Sequence, residues 1–153
     1  MSRRGRSRQD RDAGTATVEF VLVGLLMMVP ITYGLLTALQ VQRTAFAAVE
    51  AARAGARAFI TAPSSSAGRQ RAQQAVDLAL RDQGVPAHDG QLRITCSTTP
   101  CLTPGGTIGV AVSSTVYLGW LPTFLRGGAG GTVGIPVQAV HVETVDPFEP
   151  GRP

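Results

Sequence analysis

A chain of 153 residues has room for one small domain and one membrane segment, not for several domains. Its net charge of +4 and sequence pI near 10.0 come mainly from the first fourteen residues, where five arginines meet Asp10 and Asp12. From Thr15 onward nine arginines meet eight acids, which excludes the broad basic face of a nucleic-acid-binding domain.

Residues 1–14 read as a basic leader. Ser2-Arg3-Arg4 faintly echoes a twin-arginine signal, but no apolar segment follows closely, so a tail that sets membrane orientation is the better reading. Glu19 then stands at the lip of an apolar run. From Val21 to Leu39 the run carries no charge for 19 residues. As a helix it spans ~28 Å, close to the hydrocarbon thickness of a bilayer. Gly24, Pro30 and Gly34 are tolerated in such a helix. A carboxylate within a bilayer costs on the order of 2.5–3.5 kcal/mol on insertion scales, so Glu19 calls for a reason. The bland one is that it snorkels to the headgroups at the favourable N-terminal end of a helix dipole. The arginines place the N-terminus in the cytoplasm and residues beyond about 40 outside. That side is oxidising, and Cys96 and Cys101 make sense there as a disulfide closing a short loop.

A cleaved signal peptide is the competing reading of the run. Ala45-Phe46-Ala47 has the small-x-small pattern, but the run exceeds the usual apolar core of about 7–15 residues. The surrounding sequence also looks helical. Val41, Ala45, Ala48, Ala52, Gly55 and Phe59 recur at steps of four, three, four, three and four. This heptad-like stripe of small residues allows close helix packing. It packs either against its own domain or against other subunits, and both readings stand open. From Thr15 to Ile60 the helix would extend ~69 Å.

Ala62 to Gly68 reads as a Pro/Ser linker. An amphipathic helix is predicted from about Arg69 to Gln83, with Ala72, Ala75, Val76, Ala79 and Leu80 on its apolar face and Gly84 and Pro86 ending it. The period then changes to two. Leu92, Ile94 and Cys96 mark a first strand. Ile108, Val110, Val112 and Val116 mark a second, with Ser114 a polar member of the same face. A third runs from about Thr132 to Val145. There Val133, Ile135 and Val137 give way to Val140 and Val142, a phase slip that predicts a bulge or bend near Pro136. Asp146 to Pro153 reads as a Pro-rich tail.

The predicted architecture is α+β. A long N-terminal helix, transmembrane over about 20–39, continues as an extracytoplasmic stalk to residue 61. A head of residues 62–145 follows, with a short second helix and a three- or four-stranded antiparallel sheet. Residues 146–153 form the tail.

Chemistry-bearing constellations are sparse. His88 and His141 are single and lack nearby metal-ligand partners. Ser64 to Ser66 lacks a nucleophile-elbow context, and Gly127 to Gly131 lacks the phosphate-loop pattern. No catalytic residue, cofactor, metal or small-molecule substrate is expected. Trp120 and Phe124, in the apolar segment from Leu118 to Leu125, either cap the small core or form a contact patch for a partner or the membrane.

Gly14-Thr15-Ala16-Thr17-Val18-Glu19-Phe20, with basic leader before and apolar helix after, resembles a prepilin processing site. In that pattern the peptidase cuts after the glycine. Glu19 becomes the fifth mature residue and Phe20 the sixth. More narrowly, residues 14–60 resemble TadE-like proteins, minor pseudopilins of the tight-adherence (Flp) pilus system. That family shows a G-x-A-x-V-E-F start, a Leu/Val-rich run with an internal proline, and an Ala/Arg-rich helix like Ala51 to Ala58. Residues 62–153 match only in general layout. The resemblance implies a non-enzymatic role in pilus assembly or priming. Its implied partners are a prepilin peptidase, the major Flp pilin, a sister pseudopilin, a membrane assembly platform and membrane lipid. It also gives Glu19 a role, pairing with the new amine of Thr15 on an adjacent subunit. The alternative is a single-pass anchored extracytoplasmic binding module unrelated to pili.

Overall fold

In the computed structural model the described residues are 6–86, 90–119 and 133–148, with side chains described from residue 16 onward. Five elements occur in the order α1 (Arg6–Ile60), α2 (Ser65–Asp82), β1 (Gln91–Cys96), β2 (Thr107–Tyr117) and β3 (Gly134–Thr144). The chain divides into two units, Met1–Ala38 and Leu39–Pro153. A long apolar helix, a second helix and a three-stranded antiparallel sheet make an α+β, pilin-like arrangement. Helix α1 begins at Arg6, inside the segment read as a leader, where Arg, Gln and Ala are all good helix formers.

The second unit, Leu39–Pro153, which holds the head, is built on residues 39–60 of α1. Ala47, Ala48, Ala51, Ala52, Ala56 and Phe59 have no exposed surface, and they share one core with Val76 and Leu80 of α2 and Ile108, Val110 and Val112 of β2. Small side chains on α1 let the other layers come close. A Cβ on Gly55 would stand 2.9 Å from Val76 Cγ2, so α2 could not keep its place against a larger residue there.

Helix α2 starts at Ser65, earlier than its apolar periodicity suggests. The Ser64 hydroxyl accepts the Ala67 N–H at 3.3 Å, a side-chain cap that satisfies one of the free donors of the first turn. Much of the expected linker is therefore helix. Gly68 serves contact rather than flexibility, since a Cβ there would meet the Phe59 ring and carbonyl at 3.1 Å. At the other end Gly84 takes φ +71°. The Gly84 N–H donates to Arg81 O at 2.9 Å and the Val85 N–H to Leu80 O at 2.9 Å, the paired bonds of a Schellman ending. Leu80 and Val85 both join the core, which fixes where the chain leaves the helix.

The sheet order is β1-β2-β3, with both pairings antiparallel. Strand β2 buries Ile108, Val110, Val112, Ser114 and Val116 on one face. Its register with β3 is unbroken from Thr107↔Thr144 to Tyr117↔Gly134. The bulge expected near Pro136 is thus absent. The phase slip in the sequence has another cause: past Val137 the helix-facing positions go to Ala139, His141 and Glu143, while Val140 and Val142 face outward, 63% and 60% exposed. His141 Nε2 and Glu143 Oε2 lie 2.9 Å apart, so the two polar side chains at this sheet edge partner each other. Leu118 N–H donates to Val133 O and Val145 N–H to Gly106 O. By the alternation of an antiparallel ladder, Pro136 then sits where its missing N–H faces the free edge of β3 and costs no ladder bond.

Candidate functional site

The first unit contains the anchor candidate. Every residue from 16 to 36 is exposed, including Phe20 at 79%, Leu26 at 63% and Ile31 at 69%. Within α1, Ala16–Ile60 includes a stretch long and apolar enough to cross a membrane, with none of that stretch buried. Its polar groups are handled locally. Thr32 Oγ1 donates to Met28 O and Thr37 Oγ1 to Tyr33 O, each at 2.8 Å, so neither hydroxyl proton needs an outside partner. Helix α1 continues through Pro30.

Gly14 and Thr15 lie within α1, and their side chains fall outside the described set. Glu19 is exposed and has no ion-pair partner among the described residues. Its carboxylate stands at the edge of a surface that is otherwise apolar.

The stripe on α1 resolves toward its own domain. Ala48, Ala52 and Phe59 have no exposed surface and Gly55 is buried, while Val41 and Ala45 are half buried against the same core. Ala48, Ala52, Gly55 and Phe59 therefore offer no surface to a second subunit, because α2 and the sheet already occupy it. On the outward side of the same segment Leu39, Phe46 and Val49 are 54%, 72% and 39% exposed, among Arg43, Glu50, Arg53 and Arg57. These are exposed apolar groups outside the buried stripe. Their signal was the spacing of seven from Leu39 to Phe46 and three to Val49. The triplet Ala45-Phe46-Ala47 lies inside α1 with Ala47 fully buried, and a cut after it would remove Val41 and Thr44 from the head.

Cys96 and Cys101 form a disulfide with Cα atoms 5.3 Å apart. It closes the turn from β1 toward β2, where Ser97 N–H donates to Thr107 O and Thr107 N–H to Ser97 Oγ. A loop this short gains about 2 kcal/mol from cross-linking in the chain-entropy account. Among the described residues no group of three His, Cys, Asp or Glu side chains could hold a metal ion. Trp120, Phe124, His88 and the glycines from 127 to 131 lie outside the described residues.

The head also carries a cleft of about 210 Å³. Gln40, Arg43 and Thr44 of α1, the turn at residues 84–86, and Ser114 to Tyr117 of β2 line it. Ser114 is 4% exposed, and its Oγ has no hydrogen-bond partner among the described residues. A buried hydroxyl left in that state costs about 1–3 kcal/mol. The sequence marked Ser114 as a polar intruder on an apolar face, but not the cleft it lines. The chain matches no family model, and no curated protein or solved structure shows significant similarity to it.

Proposed function

We propose that the chain is a non-enzymatic, single-pass, pilin-like protein that helps assemble or prime a tight-adherence pilus. A prepilin peptidase would cut between Gly14 and Thr15. The apolar helix would survive that cut and stay in the membrane. The new Thr15 amine of one subunit would face Glu19 of the next, a pairing that lowers the cost of holding both charges in an apolar setting when the geometry is good. The arginine-rich leader and the disulfide support a cytoplasmic N-terminus and an extracytoplasmic head.

The observation that carries the reading is the exposed apolar surface of residues 16–36, with Glu19 exposed at its lip and without an ion-pair partner among the described residues, on the same helix that supplies the head's core. The test is Glu19→Ala in the producing cell. Lost piliation with normal insertion and an intact Cys96–Cys101 bond is expected. Unchanged piliation would favour the anchored binding module instead.

A further inference from the structure

We propose that Cys96 and Cys101 form a reversible redox clasp for one end of the head. Oxidised, the pair holds residues 97–106 and Val145 closed on the core. Reduced, that end opens while α2 and the middle of the sheet stay folded. The clasp is independent of the membrane anchor.

Residues 97–106 have little of their own to hold them. They read Ser-Thr-Thr-Pro-Cys-Leu-Thr-Pro-Gly-Gly, turn formers that contribute no helix or strand. The Thr103 N–H and Oγ1 both donate to Pro100 O, and the Gly106 N–H donates to Thr103 O, so these bonds join near neighbours only. The segment folds back tightly, since a Cβ on Gly106 would stand 2.7 Å from Thr98 Oγ1. Three joints connect it to the rest of the head. Ser97 carries the β1–β2 ladder one step further, through its N–H to Thr107 O and its Oγ from the Thr107 N–H. Leu102, 6% exposed, enters the core directly after Cys101. The Gly105 N–H donates to Val145 O at 3.1 Å and the Val145 N–H to Gly106 O at 2.8 Å, which seats Val145, 4% exposed, in the same core.

The disulfide ties the last residue of β1 to the residue before Leu102, and so holds these joints together. In the chain-entropy account a ring this short favours closure about thirtyfold, enough to decide the state of a segment whose other ties are few. Phe59, Val76, Leu80, Val110 and Val112 are fully buried on α1, α2 and β2, whose regular hydrogen bonds do not pass through residues 97–106. Neither cysteine is fully buried, which gives an external thiol access. Opening is thiol–disulfide exchange. A thiolate of an external dithiol attacks one sulfur, its second thiol resolves the mixed disulfide, and the dithiol leaves oxidised while Cys96 and Cys101 take two electrons and two protons. Closing is the reverse, with an external disulfide accepting the electrons.

The test is amide hydrogen exchange of the full chain in neutral detergent, read by mass spectrometry before dithiothreitol, after it, and after reoxidation with oxidised glutathione. On reduction, residues 97–106 and Val145 are expected to exchange at close to the rate of an unfolded peptide, while Val76, Val110 and Val112 stay protected at least a hundredfold. Oxidised glutathione should restore the lost protection. Replacing Cys96 and Cys101 together by serine should give the open pattern with no response to dithiothreitol. Protection of residues 97–106 and Val145 that survives reduction would overturn the clasp. So would loss of protection at Val76, Val110 and Val112 along with them, which would make the bond a cross-link of the whole head, or an opening that oxidised glutathione fails to reverse.

Discussion

Residues 16–36 and residues 39–60 belong to one helix, yet they solve burial in opposite ways. The first stretch carries Leu, Val, Met and Ile on every side, and all of it is exposed. The second confines its burial to a face of Ala, Gly and Phe59, and fills that face with its own α2 and sheet. A helix apolar all round needs an apolar surrounding, whereas an amphipathic one needs a partner on one side only. The difference teaches where an apolar surrounding is still wanting: along the first stretch, whereas the second has filled its apolar face from its own chain.

Substitutions that strike one stretch and spare the other test this division. The largest effect is expected from Phe59→Ala, which empties the junction of α1, α2 and Gly68. It should destabilise the head by about 3–5 kcal/mol, read by urea unfolding in detergent, while membrane insertion is unchanged. Leu26→Arg should do the reverse. It adds roughly 2.5–3.5 kcal/mol to insertion at the middle of the span, read by membrane fractionation, and leaves head stability unaltered. Replacing Cys96 and Cys101 together by serine should cost the head about 2 kcal/mol, with insertion again unaffected. Ser64→Ala should cost about 1 kcal/mol through loss of the α2 cap. At the small end stands Glu50→Ala. Its 3.5 Å contact with Arg53 is well exposed, so urea midpoints should shift by less than about 0.5 kcal/mol's worth.

The same division explains what could be read from the sequence. Alternation from Leu92 to Cys96 and from Ile108 to Val116 located β1 and β2, because each strand has one face on the core. The apolar run located the anchor candidate because its composition alone distinguishes it. The stripe from Val41 to Phe59 was visible, but its partner was not. Small residues suit a neighbouring subunit and an intramolecular helix equally, and only the position of Val76 against Gly55 decides between them. The start of α2 was hidden because Ser-Ser-Ser-Ala-Gly has the composition of a linker, and the cap from Ser64 depends on backbone geometry. In β3 the valines changed face without a bulge. An edge strand can hand inward positions to a His141–Glu143 pair that bonds to itself, a solution that periodicity does not reveal.

The central claim, that the apolar helix is kept and its leader removed at Gly14, is tested most directly at the N-terminus. Intact mass and terminal peptide mapping of the protein purified from its native membrane would identify the first residue. The account predicts Thr15. A start near Ala48 would contradict it: the anchor would be lost, together with the half-buried Val41 that packs on the head's core.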